Sequence, residues 1–249
     1  MKPTIILTHD VDSIHKPLSH ILARRKRFKL IDIIKHAVGA TNLYNNLTIM
    51  AEAEDKLGYR STIFIPVGLF NVDEVIDILK TLQKESWEIG YHPVISNNQT
   101  YSLLKIGLEY LKYLGLNIKG VRAHYLITSP KLLEYYSKLG LTYDSSIRAE
   151  ELGTFNATKL NNLIEIPVAL MDADVFGRLM IQNEEKAFKY ILWKLTQAEK
   201  ENAKHFTVLF HQEALRMRGG RLYFKLLEYL HEKEYSIKKC IEVAEEVRK

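Results

Sequence analysis

The chain has 249 residues, of which 47% are hydrophobic, and a net charge of +5. Its single cysteine, Cys240, excludes an intrachain disulfide and a cysteine-rich zinc site, and no apolar run reaches the ~18 residues of a membrane-spanning helix. These properties predict one folded domain over residues 1–249, in the cytoplasm and without a transmembrane segment. The mild positive charge does not by itself indicate a nucleic-acid partner, and none is expected.

Short apolar segments alternate with amphipathic segments along the whole chain. Strands are predicted at 4–8, 61–67, 87–91, 120–122, 141–143, 163–168 and 206–210. Helices are predicted at 49–57, 72–84, 103–114, 130–139, 184–202, 221–233 and 237–247, and the basic segment 16–36 is partly helical in pattern. This repetition of strand and helix predicts an α/β fold with a mostly parallel sheet, closed or nearly closed into a barrel of about seven strands.

Chemically active side chains follow the carboxyl ends of these predicted strands. They are Asp10, Asp12, His92, Arg122, His124, Asp144 and His211. Because the carboxyl ends of barrel strands converge on one face, we expect these side chains to meet there. The sequence therefore predicts an active site at that face.

The first of these groups is the segment 8–12, with sequence THDVD. Asp10 and Asp12 are two residues apart, so an extended strand projects both carboxylates to the same side. A metal ion would neutralise one carboxylate and leave the other to act as a base. The alternative is an Asp-x-Asp that only stabilises the following turn, and such motifs also occur in phosphotransferases and glycosyltransferases.

Three further groups complete the pattern. His92 precedes a proline, so it lies on a stiff turn that suits a metal ligand, although a surface turn histidine is the alternative. Arg122 and His124 are again two apart, and the arginine could orient a neighbouring carboxylate through a bidentate pair or form a structural bridge. His211 directly follows an apolar strand, which suits a general acid.

In this order the motifs resemble those of the polysaccharide deacetylase family, also called the NodB-homology domain or carbohydrate esterase family 4. The resemblance covers essentially the whole chain, with segment 61–66 (STIFIP) similar to the second barrel strand and segment 209–211 (LFH) similar to the fifth motif. Segment 8–12 is similar to the first motif in a divergent Asp-x-Asp variant. The resemblance implies an irregular (β/α) barrel of about seven strands.

The resemblance also implies roles for individual residues. Asp10 would be the catalytic base, Asp12 a metal ligand, Arg122 the group that steadies Asp10, and His211 the general acid. Residues implied or expected to line the substrate pocket are Asp144, in segment 143–146 (YDSS), together with Tyr125 and Asp172. For Asp172 the alternative is a solvated loop carboxylate.

One ligand of the family pattern is missing. The family's second motif is His-x-x-x-His, whereas the fourth residue after His92 is Ser96. His124 is the expected substitute, because it lies over the same barrel mouth, and His9 is a second candidate whose side chain should point away in a regular strand. The implied cofactor is one divalent metal ion, with zinc favoured and cobalt, manganese or iron as alternatives.

These residues predict a metal-dependent hydrolase that removes an acetyl group from an N- or O-acetylated carbohydrate. A first alternative is a catalytically degenerate member of the family that binds a glycan without hydrolysing it. A second is a phosphatase or phosphotransferase with Asp10 as nucleophile, Asp12 as acid, and Asp172 and Asp174 as its later acidic pair.

The basic segment 24–29 (RRKRFK) has no place in this chemistry. One interpretation is a solvated insertion after the first strand. The other is a binding element for an acidic glycan or an anionic membrane surface.

Overall fold

The computed structural model describes residues 1–96, 100–217 and 219–249. The strands in these ranges are β1 Thr4–Asp10, β2 Thr62–Ile65, β3 Glu88–Tyr91, β4 Gly120–Val121, β5 Tyr143–Asp144, β6 Thr158–Leu160, β7 Leu163–Glu165, β8 Val168–Met171, β9 His205–Leu209 and β10 Ile237–Lys238. The α-helices there are α1 Leu18–Ala23, α2 Leu30–Ala37, α3 Leu47–Asp55, α4 Ile76–Lys84, α5 Tyr101–Tyr113, α6 Pro130–Lys138, α7 Ala149–Leu152, α8 Glu184–Lys200, α9 Gly220–Glu232 and α10 Cys240–Arg248.

The strands form one sheet in the order β6-β7-β5-β4-β3-β2-β1-β9-β8, with β10 beside β1. Every neighbouring pair is parallel except β6 with β7. Helices connect most successive parallel strands, as parallel pairing requires. The predicted α/β fold with a mostly parallel, barrel-like sheet is confirmed.

One predicted strand, 163–168, is divided into β7 and β8. Pro167 separates them, because proline has no amide hydrogen to continue the ladder. β7 pairs with β5 while β8 pairs with β9. The bent segment therefore connects two strands that lie near opposite ends of the strand order. The amide of Val168 also donates to the carbonyl of Ile147 at 2.9 Å. This bend curls the sheet toward closure.

The predicted helix at 237–247 begins later than expected. Residues 237–238 form β10, which pairs with the amino-terminal half of β1. Helix α10 then starts at Cys240, whose amide donates to Thr62 Oγ1 at 2.9 Å, while the amide of Ile241 donates to Glu88 Oε2 at 2.9 Å. Side chains inside the sheet thus satisfy amides that the first helical turn leaves unpaired.

Strand alternation decides which side chains reach the site. In β1, Ile6 belongs to the apolar cluster inside the curled sheet. The side chains of Thr8 and Asp10 point to the same side of the strand as Ile6. Both therefore contact the guanidinium of Arg122 in the interior. Two glycines make room for interior rings. A Cβ at Gly90 would lie 2.5 Å from the Phe64 ring, and a Cβ at Gly120 would lie 1.9 Å from the Tyr143 ring.

His9 points to the opposite side, as predicted, and contacts the surrounding helices. Its Nε2 lies 2.8 Å from Glu54 Oε1 on α3, and its Nδ1 lies 2.8 Å from the carbonyl of Phe210. Glu54 is fully buried and also accepts hydrogen bonds from Ser61, from Trp87 and from the hydroxyl of Tyr223. Burial raises the pKa of Glu54, but the hydrogen bond and charge of His9 outweigh it and lower the pKa.

We expect Glu54→Ala to lower the free energy of unfolding by about 3–5 kcal/mol, because it leaves several buried donors without their acceptor. Urea unfolding followed by circular dichroism measures the change. Glu52→Ala is the matched control, because Glu52 is exposed on the same helix and its loss should cost less than about 0.5 kcal/mol. Equal effects of the two substitutions would contradict a structural role for this network.

Candidate active site and metal centre

The guanidinium of Arg122 lies at the centre of the carboxyl-end face and has no exposed surface. Its Nη1 donates to Asp10 Oδ1 at 3.0 Å and to Thr8 Oγ1 at 2.9 Å. Its Nε and Nη2 donate to the carbonyl and hydroxyl of Ser145 at 2.9 and 2.7 Å. The guanidinium also stacks on the Phe64 ring at 4.3 Å. These contacts hold one oxygen of Asp10 and leave Oδ2 facing the site.

Asp12, His92 and His124 form the one group in the described ranges whose side chains could together hold a metal ion. His92 Nε2 and His124 Nδ1 each lie 3.2 Å from Asp12 Oδ1, and they lie 3.3 Å from one another. Ligand atoms about 2.0–2.1 Å from a tetrahedral metal ion would be about 3.3–3.4 Å apart. The three atoms therefore have the spacing of one face of such a site.

The hydrogen bonding of His92 shows why a cation fits this triangle. Its Nδ1 lies 2.6 Å from the carbonyl oxygen of Arg122, which only accepts hydrogen bonds, so Nδ1 carries the hydrogen. In the neutral ring Nε2 then presents a lone pair to the carboxylate of Asp12 and the Nδ1 of His124, whereas a second proton on Nε2 would be donated to Asp12. Facing acceptors repel unless a proton or a metal ion lies between them. A backbone acceptor behind a ligating histidine is the usual arrangement in metal sites.

Asp12 is the partly exposed member of this group, with 23% of its side-chain surface accessible. Burial raises the pKa of its carboxyl, but hydrogen bonds from His124 and His92 and the charge of His211 lower it more strongly. The pKa is therefore held well below its usual range, and the carboxylate is anionic at neutral pH. That is the form that binds a metal cation.

His211 lies beside Asp12 and is held by Asp172. Its Nδ1 lies 2.7 Å from Asp172 Oδ1, its backbone amide donates to Asp172 Oδ2 at 3.1 Å, and its Nε2 lies 3.6 Å from Asp12 Oδ2. Burial lowers the pKa of His211, but the charge and hydrogen bond of Asp172 raise it well above the ordinary value. Asp172 therefore favours the charged form of His211.

The sequence analysis missed Glu213, two residues beyond His211. Burial raises the pKa of its carboxyl to about 8, against the opposing charge of His211 and with the charge of Asp12 adding to the rise. The only signal in the sequence was a carboxylate close after a strand-end histidine, which is common on surface turns.

Two expected substrate-binding residues lie elsewhere. Asp144 is fully buried, because Tyr143 and Ser145 occupy the interior face of the chain at β5 and alternation turns Asp144 to the other face. Asp172 is 5% exposed and is bound to His211. The expectation that these two contact substrate is thus corrected. Tyr125 is 79% exposed, and its ring lies 4.0 Å from that of His124, so its predicted contact with substrate stays a prediction.

Asp144 instead forms a buried carboxyl pair with Glu165 across β5 and β7. Ser146 donates to Asp144 Oδ1 at 2.5 Å, and the amide of Ile147 donates to Glu165 Oε1 at 3.1 Å. The two remaining oxygens, Asp144 Oδ2 and Glu165 Oε2, are buried without another partner in the described structure. Burial raises the pKa of Asp144 to about 6, and burial with the neighbouring charge of Asp144 raises that of Glu165 well above its ordinary value. One proton shared by the pair satisfies both oxygens.

The structure gives little support to the phosphatase alternative. Of its expected acidic pair, Asp172 is bound to His211, and Asp174 lies 3.3 Å from Arg148 Nε and 3.2 Å from Arg178 Nε. Neither carboxylate is free to bind a magnesium ion beside Asp10.

No helix in the described ranges is both long and apolar enough to span a membrane.

The WbmS-like polysaccharide deacetylase family has a sequence model that matches residues 52–199. No curated protein sequence matches the chain. Among solved structures, a polysaccharide deacetylase, so described, from Mycobacterium smegmatis is 19% identical with a TM-score of 0.72, and the match covers 99% of this chain and 90% of the other. At such identity the structural likeness establishes the fold alone.

Two other structures are also similar. One is from Bordetella bronchiseptica and is described as a polysaccharide deacetylase involved in O-antigen biosynthesis; it is 16% identical, with a TM-score of 0.55 and coverage of 98% of this chain and 84% of that one. The other is a mutant of a CE4 family pseudoenzyme with restored enzymatic activity, 11% identical, with a TM-score of 0.57 and coverage of 98% and 68%.

The carboxyl pair predicts a pH dependence of stability. Because the folded chain retains a proton that an ordinary carboxyl releases, the free energy of unfolding should fall as pH rises from the ordinary glutamate pKa toward neutral. The fall is at most about 1.4 kcal/mol per pH unit for one retained proton. Glu165→Gln should flatten this slope in urea unfolding measured across pH, whereas the exposed Glu228→Gln should leave it unchanged. Parallel curves for all three proteins would rule out a shared proton.

Proposed function

The chain belongs to the WbmS-like polysaccharide deacetylase family, and on that premise we propose that it is a metal-dependent hydrolase that removes an acetyl group from an N- or O-acetylated carbohydrate. The observation that carries the proposal is the triangle of Asp12, His92 and His124, with the carboxylate of Asp10 and the imidazole of His211 both close to it. Asp10 Oδ2 lies 3.7 Å from His92 Nε2, and His211 Nε2 lies 3.6 Å from Asp12 Oδ2.

The three side chains of the triangle would hold one divalent metal ion, with zinc favoured by the two imidazoles and single carboxylate. When bound, such an ion supplies Lewis-acid polarisation of the acetyl carbonyl and lowers the pKa of a water molecule. His124 would replace the second histidine of the family motif, where this chain has Ser96.

The remaining chemistry would belong to the side chains. Asp10 would accept a proton from the attacking water at Oδ2, while the hydrogen bond from Arg122 fixes Oδ1. His211 would donate its Nε2 proton to the departing amine or alcohol, and Asp172 would hold its ring and favour its charged form. The proposed base thus lies beside His92 and the proposed acid beside Asp12, at two different members of the triangle.

Metal binding is the first test. Elemental mass spectrometry of protein purified without chelator should find about one transition metal per chain, and titration of stripped protein with zinc should give the affinity. Loss of an outer-shell partner costs 10–100-fold in metal affinity, so His124→Ala should cost at least about 100-fold. His231→Ala, at the exposed end of α9, is the matched control. No binding by the wild type of zinc, cobalt, manganese or iron would overturn the proposal in favour of the degenerate glycan-binding alternative.

Catalytic variants test the assigned acid and base. Acetate release is measured from N-acetylated hexosamine oligosaccharides and O-acetylated sugars, with 4-nitrophenyl acetate as an unselective ester. Asp10→Asn and His211→Gln should each lower kcat by about 10²–10⁴-fold while the metal content stays at that of the wild type. Asp174→Asn removes a nearby carboxylate that pairs with arginines and should leave kcat within about threefold. Full activity of Asp10→Asn would contradict its role as the base.

A further inference from the structure

The segment 16–38, called here the α1–α2 hairpin, holds all of the net positive charge of the chain. It contains seven Lys and Arg residues and one acidic residue, Asp32, so its net charge is +6 against +5 for the whole chain. The remaining residues therefore carry a net charge of −1. Arg24, Arg25, Lys26 and Arg27 are exposed. No carboxylate in the described part of the chain forms an ion pair with any cation of the hairpin.

The same hairpin exposes aliphatic side chains. Six of the seventeen exposed large apolar side chains in the described ranges lie within these 23 residues of a 249-residue chain. They are Leu18 at 41%, Leu22 at 47%, Leu30 at 74%, Ile31 at 54%, Ile34 at 49% and Val38 at 73%. Apolar surface of this extent beside unpaired cations is not expected of a merely solvated insertion.

The exposed aliphatic side chains form a stripe on α2. Leu30, Ile34 and Val38 are spaced by four residues and so lie along one face of the helix and its continuation. A different face carries Ile33, which is 7% exposed and packs in a small cluster with Ile21 and Phe28. Because these buried residues anchor the hairpin, the exposed stripe is not needed for the local core.

A cavity lies beside the hairpin. Its volume is about 390 Å³, and it lies between the hairpin and the residues 215–217, 221 and 224. Cations outnumber the one carboxylate in its lining, which includes Arg27, Lys29, Arg216, Asp32 and the rings of Phe28 and Phe224. Arg27 and Lys29 come from the basic segment itself, so the cavity continues the charged surface.

We propose that the α1–α2 hairpin docks the protein onto an anionic lipid surface. Aliphatic side chains would enter the interface between headgroups and acyl chains, while the cations contact lipid phosphates. An acidic glycan would satisfy the cations but not the aliphatic stripe, which is why the observations favour a lipid surface. The proposal is independent of the hydrolytic activity.

The hairpin is tied to the rim of the active site. Gln212, the neighbour of His211, donates through Nε2 to the carbonyls of Ser13 at 2.7 Å and Tyr44 at 2.9 Å, and its Oε1 accepts from the amide of Asn46 at 2.7 Å. Ser13 precedes the hairpin in the chain, and Tyr44 and Asn46 follow it. The contacts therefore join the chain on both sides of the hairpin to the loop after β9. A docked hairpin would therefore hold the site near the lipid surface.

Vesicle co-sedimentation tests the proposal with the full chain. The wild type should sediment with vesicles that contain phosphatidylglycerol, not with phosphatidylcholine alone, and binding should weaken as salt is raised. The triple variant Arg24→Gln, Arg25→Gln and Lys26→Gln should bind about 100-fold more weakly, because each cation contributes about fivefold. The triple variant Leu30→Ser, Ile34→Ser and Val38→Ser should also lose at least about tenfold.

Matched controls remove comparable groups elsewhere. The triple variant Lys84→Gln, Lys105→Gln and Lys119→Gln removes three exposed cations, and the double variant Leu103→Ser and Ile106→Ser removes exposed aliphatic side chains of α5. Both should bind vesicles as the wild type does. Circular dichroism checks that each variant is folded, and sedimentation is scored without reference to metal content or acetate release.

Three results would overturn the proposal. Absence of binding to phosphatidylglycerol vesicles is the first. The second is binding that depends on the cations but not on the aliphatic residues and is competed by a soluble acidic polysaccharide, which would assign the hairpin to an acidic glycan. The third is self-association in sedimentation velocity that the aliphatic variant abolishes without changing vesicle binding, which would assign the stripe to a second copy of the chain.

Discussion

The buried ion pair between Arg122 and Asp10 is the interaction on which the rest of the site depends. A guanidinium without exposed surface is costly unless its hydrogens are bonded and its charge is balanced. Thr8, Asp10 and Ser145 meet that requirement, and they come from β1 and from the chain after β5. The backbone carbonyl of the same arginine orients His92. One residue thus links the proposed base to a member of the metal-binding group.

That buried charge constrains the strands around it. Phe64 supplies a ring face beneath the guanidinium, and the Phe64 ring fits only because Gly90 on the adjacent strand has no side chain. The absence of a side chain at Gly120 likewise leaves room for the Tyr143 ring. The carboxyl pair of Asp144 and Glu165 occupies the outer face of the neighbouring strands, where one shared proton would leave the pair with a single negative charge.

In the proposed metal-binding group, a three-donor set would be retained although one ligand of the family's second motif is missing. A metal ion responds to the positions of donor atoms and not to their order in the chain. His124 comes from the segment after β4, yet its Nδ1 lies 3.2 Å from Asp12 and 3.3 Å from His92. The spacing of residues predicted that Arg122 and His124 face the same site. Glu213 and the bend at Pro167 gave no comparable signal, because both depend on what packs around them.

The sequence by itself determined the alternation of strands and helices, and with it the side of the barrel on which Asp10, Asp12 and Arg122 lie, because alternation along a strand is a local property of the backbone. Tertiary structure alone decided which residues meet across strands. Asp144 lies on the outer face because its neighbours occupy the interior, and Asp172 binds His211 because β8 pairs with β9 after the bend. Such contacts join segments far apart in the chain, and only the register of the folded sheet specifies them.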